Sequence, residues 1–154
     1  KRGEVFYTQQ EQQGYALFQQ HCNACHSEPL FTNGGFAMNG LPVDSSLRDH
    51  GRFAVTQQPT DSFLFKVPTL RNIAYSKPYM HDGRMKGLNE VLQHYAGLHA
   101  RQSKLNNSLD ELPALTSNER VDFVAFLLTL SDSSFVMNRS FAYPKEIISA
   151  LAKE

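Results

Sequence analysis

The chain has 154 residues with 15 basic and 15 acidic side chains, so its formal net charge is zero. That balance argues against a general nucleic-acid or anionic-membrane binder, which needs clustered Lys and Arg, and 41% apolar residues argue against disorder. The length suits one domain able to bury a core without disulfides, and the longest apolar stretch, Phe123 to Leu130, is too short to span a bilayer. No leader of basic, apolar and small residues opens the sequence, which implies a cytosolic protein or a mature or trimmed chain.

Thr8-Gln9-Gln10-Glu11 is a capping box that starts a helix. Tyr15, Phe18 and Cys22 continue it at helical spacing into Cys22-Asn23-Ala24-Cys25-His26, which holds both cysteines of the chain. A Cys-x-x-Cys-His run is the attachment signature of haem c. Each thiol adds to one haem vinyl, the spacing on a helical turn matches the two vinyls, and His26 reaches the iron from the proximal side. A thioredoxin-like redox pair would follow a strand in a βαβ unit, whereas a helix precedes this pair. A zinc site would need four ligands, and the chain has no second cysteine pair. A chance pair is the remaining alternative. Haem c is attached outside the reducing cytosol, so the motif shifts the expected location to the periplasm or another extracytoplasmic space.

From Ser27 to about Pro59 the chain is rich in Gly, Pro, Asn and Ser, with turn signals at Asn33-Gly34-Gly35 and Asn39-Gly40. A long loop is expected there, with at most a short helix near Ser45 to His50, and a haem edge is a fitting object for it to wrap. Leu88, Val91, Leu92 and Tyr95 form one face of a helix from about Leu88 to Ala96, ended by Gly97. A second capping box, Thr116-Ser117-Asn118-Glu119, opens a helix from about Ser117 to Leu130 whose apolar face is read as Val121, Phe123, Val124, Leu127 and Leu128. Pro144 introduces a last helix through about Ala152. No internal repeat and no alternating strand of useful length is visible, so the expected fold is all-α with long loops.

Two further segments carry a family resemblance. Phe65-Lys66-Val67-Pro68-Thr69-Leu70-Arg71-Asn72, followed by Pro78-Tyr79-Met80-His81-Asp82-Gly83, resembles the C-terminal haem domain of bacterial di-haem cytochrome c peroxidases and MauG-like proteins. Leu115-Thr116 and the run Asp122-Phe123-Val124-Ala125-Phe126-Leu127 to Thr129-Leu130 are also similar, and the match covers about residues 11 to 131. The resemblance implies a cytochrome-c-like fold and one covalent haem. It also implies a second, N-terminal haem domain that reacts with peroxide and receives electrons from this one. On that reading the chain is a single haem domain with a C-terminal extension at 132–154 whose aromatics Phe135, Phe141 and Tyr143 cover the core, the missing domain or a partner.

The residue opposite His26 has two main candidates. Spacing alone suggests Met80, the thioether of an ordinary cytochrome c loop. The resemblance instead places the distal ligand at Tyr95, as in the MauG-like branch. A thioether favours Fe(II) and suits an electron relay, whereas a phenolate favours Fe(III) and suits oxidative chemistry. Tyr95 is the expected ligand and Met80 the alternative, with Met85, His94 or an open position behind them. Packing roles are the competing explanations for both: Tyr95 on its helix face and Met80 under the haem.

His81 is read either as a supporting contact behind the haem ligands or, as the resemblance implies, on the path between haems, an ordinary hydrogen-bonded His being the alternative. Arg71 is a candidate partner of a haem propionate, against a plain surface charge. Calcium between the two domains would take the main-chain carbonyls of Ser76 and Pro78, although two carbonyls cannot hold it alone. His21, His50 and His99 are read as packing or solvent-facing. The expected function is the electron-transferring half of a peroxide-dependent di-haem protein acting with a redox protein partner. A stand-alone mono-haem carrier and a haem sensor with an open distal side are the competing classes.

Overall fold

The structure, a computed structural model, describes residues 6–97 and 115–142. The expected helix from Pro144 to Ala152, together with His99 and Tyr143, lies outside the described residues. Helix α1 spans Gln9–His21, and its capping box forms as read: Thr8 N–H donates to Glu11 Oε2 at 2.7 Å and Glu11 N–H to Thr8 Oγ1 at 3.3 Å. The long loop follows, interrupted by two-residue strand β1, Phe36–Ala37, and by the short helix α2, Phe53–Thr56. Strand β2, Phe65–Lys66, pairs antiparallel with β1, Phe36 opposite Lys66 and Ala37 opposite Phe65. Helix α3 is Leu88–Ala96, α4 is Ser117–Thr129 and α5 is the short turn Ser133–Val136.

The structure refines the loop and corrects one helix face. Residues 45–48 make a turn rather than a helix. Asp44 Oδ1 accepts from the Ser46 amide at 2.9 Å, and Arg48 adopts a left-handed φ of 49° that stops helical propagation. A short helix forms later, at α2, and the β ladder is only two residues long, in keeping with the absence of any strand of useful length. On α4, Val121 and Leu128 are exposed, while Phe126, absent from the expected face, is completely buried.

The core lies where α1 crosses α4. Phe18, Phe123, Phe126 and Leu127 pack there with Leu88 and Leu92 of α3, plus Ile73 and Leu115. The Phe18 and Phe126 rings are 5.2 Å apart, Tyr15 lies 5.2 Å from Phe126, and Phe31 reaches in from the loop 5.4 Å from Phe18. The close approach depends on Gly14. A Cβ there would overlap the carbonyl oxygen of Asp122 and stand 2.8 Å from the Cβ of Phe126.

The loop around 65–72 is fixed by backbone bonds rather than by helices. Thr32 Oγ1 donates to Val67 O at 2.7 Å, Val67 N–H to Gly35 O at 2.9 Å, and Leu70 N–H to Phe31 O at 3.1 Å. Asn72, at a left-handed φ of 62°, ties this loop to the end of α4: its N–H donates to Leu130 O and its Oδ1 accepts from Asp132 N–H, both at 2.8 Å. The first stretch that carries the family resemblance is therefore tied to the loop just after the cysteine motif and to the end of α4.

Candidate haem site

The cysteine motif begins where α1 ends. Cys22 N–H closes the last helical turn on Phe18 O at 2.8 Å, and His26 N–H bonds Cys22 O at 2.8 Å, so one further turn carries both thiols and the imidazole. Both cysteines line one cleft of about 720 Å³ including its open mouth, together with His26 and Tyr95. The remaining wall comes from α1 through His21, from β1 and its continuation through Ala37, Met38 and Asn39, and from 65–68.

The orientation of His26 is chemically specific. Its Nδ1 lies 3.0 Å from Pro68 O and 3.3 Å from Phe31 O. A carbonyl accepts but does not donate, so Nδ1 carries the proton and Nε2 is left with its lone pair. Burial lowers the pKa of His26, the two backbone bonds opposing, and the ring is kept neutral. A neutral imidazole with one nitrogen anchored to backbone carbonyls is the arrangement that makes a firm metal ligand.

Cys22 is pushed up to about 12, chiefly by burial and then by the neighbouring Cys25. A redox-active pair needs at least one thiol lowered, at a helix N-terminus or beside a cation. Here Cys22 caps the C-terminal end of α1, and the thioredoxin-like alternative has no support in this setting.

Tyr95 projects from α3 into the cleft. Burial, then Cys22, raises its phenol to about 12, while a side-chain hydrogen bond from Asn39 works in the opposite direction. Such a buried phenol ionises only against a strong cation. Met80 does not line the cleft: its sulfur accepts from Asn39 Nδ2 at 3.4 Å, on a backbone φ of 70°. Neither Met85 nor His94 lines it. Met85 pairs through its backbone with Tyr79, and His94 Nε2 sits 2.9 Å from Asn39 O.

His81 is exposed and stacks on Phe65, rings 3.7 Å apart and 13° from parallel. Phe65 also lines the cleft, so the stack runs from the cleft wall to the surface. Arg71 is not brought to the cleft. It is exposed and borders a separate depression with Phe31, Asn72 and Asp132. Lys66, which composition alone did not single out, stands on the cleft wall instead. His21, read as a packing or solvent-facing residue, lines the cleft too, whereas His50 packs near Phe53 and Phe63 as expected of a structural His. Ser76 and Pro78 are exposed, and neither main-chain carbonyl accepts a hydrogen bond among the described residues. No group of three or more His, Cys, Asp or Glu side chains gathers as a metal site among the described residues. No helix described is long and apolar enough to cross a membrane.

The cytochrome c family profile matches residues 11–131. The methylamine utilization protein MauG of Methylorubrum extorquens is 37% identical over 76% of this chain and 33% of its own length. A cytochrome-c peroxidase of Denitromonas iodatirespirans is 32% identical over 78% of this chain and 40% of its own. The crystal structure of a MauG-like protein associated with microbial copper homeostasis superposes with a TM-score of 0.80 at 33% identity, covering 92% of this chain and 53% of the other. A variant of a di-haem peroxidase from Burkholderia thailandensis has the same fold, with a TM-score of 0.68 at 24% identity over 86% of this chain and 44% of the other. The chain thus spans half or less of the length of the curated relatives it matches.

Proposed function

The chain belongs to the cytochrome c family, in its MauG-like di-haem peroxidase branch, and from that membership we propose that it is the electron-transferring haem domain of a two-haem protein. In this reading it corresponds to the C-terminal domain, and the other haem domain meets hydrogen peroxide. A cytochrome c domain implies covalent haem c, which supplies a one-electron iron couple when bound. The observation that carries the reading is the convergence of Cys22, Cys25, His26 and Tyr95 on one cleft, with His26 Nδ1 already committed to backbone oxygens.

The residues divide the work as follows. When haem is bound, Cys22 and Cys25 would tether it, His26 would offer Nε2 to the iron, and Tyr95, on the same cleft, would offer a phenol oxygen. Lys66 takes the propionate role that Arg71 was expected to fill, because it is the basic side chain of β2 beside the cleft. The Phe65–His81 stack gives electrons a packed aromatic route from the cleft to the surface. The exposed carbonyls of Ser76 and Pro78 suit calcium, with the rest of its shell coming from the second domain and water. This chemistry belongs in the bacterial periplasm or an equivalent extracytoplasmic space, with a redox protein as the final partner.

The test is a haem count and a peroxide reaction on the protein as its host makes it. We expect two c-type haems per protein, both changing oxidation state on adding hydrogen peroxide, while the haem-loaded 154-residue chain alone does not turn over peroxide. A single haem per native protein, or full turnover by this chain alone, overturns the reading; the first outcome identifies a stand-alone electron carrier.

A further inference from the structure

Asn39 stands at a junction that the proposed haem chemistry does not use. Its Oδ1 accepts from the Leu41 amide at 3.2 Å, which fixes the amide so that Nδ2 points the other way. Its Nδ2 donates to the Met80 sulfur at 3.4 Å, and the residue lines the same cleft as Tyr95. Its own carbonyl lies 2.9 Å from His94 Nε2, one residue before Tyr95 on α3. Asn39 therefore bonds two of the four side chains considered as distal ligands, Met80 and His94, and stands on the cleft wall with a third, Tyr95. It also lines the cleft, which Met80 does not.

A thioether and a phenol so close to one cleft compete for one position, and the soft, neutral sulfur is the better ligand for reduced iron. What separates them is one amide. It lines the cleft and holds the Met80 sulfur, which does not, while its carbonyl bonds His94 on the turn of α3 that carries Tyr95. We propose that Asn39 is a positioning residue that selects the distal ligand: it holds Met80 out of the cleft and aims Tyr95 into it. The inference rests on Tyr95 being the distal ligand.

The test uses the haem-loaded protein and reads absorption and resonance Raman spectra of the ferric and ferrous forms. The parent protein should show tyrosinate-to-iron bands. Asn39→Ala should lose them wholly or in large part and gain a thioether-to-iron charge-transfer band, and Asn39→Ala combined with Met80→Leu should lack that new band. Asn39→Asp keeps the Leu41 bond and the side-chain size while removing both donors; it should also weaken the tyrosinate bands, and serves if the Ala variant does not fold. If the parent shows tyrosinate bands and Asn39→Ala and Asn39→Asp retain them unchanged, the selection role is overturned while Tyr95 stands. If the parent shows no tyrosinate band, Tyr95 itself is wrong and the selection role falls with it.

Discussion

Replacing Gly14 by Ala is expected to destabilise the folded protein by about 2 kcal/mol or more, although Ala is the better helix former. In a free helix the change would gain about 1 kcal/mol. Here the added Cβ overlaps the Asp122 carbonyl oxygen and presses on Phe126 Cβ, so α1 and α4 must separate. Inserting a methyl group into a packed site costs roughly 1–3 kcal/mol, and more when the obstacle is backbone that cannot rotate away. Separation would also loosen the Phe18, Phe123 and Phe126 contacts that fill the core. Denaturant unfolding of the haem-loaded protein measures it. Gln13→Ala, on the exposed side of α1, is the control and should lie within about 0.5 kcal/mol of the parent. Equal or greater stability of Gly14→Ala would mean that the two helices do not cross at this point.

Tyr95→Phe is expected to abolish the ferric ligand signature and raise the midpoint potential, whereas Met80→Leu should change both little. The phenolate stabilises the oxidised iron, so removing it favours the reduced state. Axial ligands span a range of about 0.8 V, and an upward shift on the order of 0.1 V is a reasonable share of it. Met80 does not line the cleft and its sulfur is held by Asn39, so its loss removes packing rather than a ligand. Spectroelectrochemistry of the two variants reads the difference. Reversed outcomes would identify Met80 as the ligand and the domain as an ordinary electron relay.

Features written in short-range chemistry are legible in the sequence. Thr8 with Glu11 and Thr116 with Glu119 form both capping boxes, and α3 begins at Leu88 and ends at Ala96 as the spacing and Gly97 indicate. Features decided by distant chain are not. Helix α4 has apolar residues around most of its circumference, so periodicity alone does not choose a face. The face chosen is Phe123, Phe126 and Leu127, because Phe126 meets α1 at Gly14 and all three join the core, leaving Val121 and Leu128 in solvent. Asn39-Gly40 reads as a turn, and Gly40 does take a left-handed φ of 69°, but nothing local says that the Asn39 amide also reaches Met80, 41 residues away. The same holds for His26 Nδ1, whose carbonyl partner Pro68 lies 42 residues on. The cysteine motif announces the chemistry; only the loop at 65–70, pinned by Thr32 and Phe31, orients the imidazole for it.

The central claim is that Cys22 and Cys25 tether a haem whose iron His26 holds. The most direct measurement is whether haem stays on the chain after the protein is matured, unfolded in acid and digested. One haem is expected on the peptide containing Cys22 to His26, with both thiols modified, and no retained haem when both cysteines are replaced by Ala. Haem that extracts freely from the unfolded chain, or two thiols still titratable in the haem-loaded protein, would contradict it.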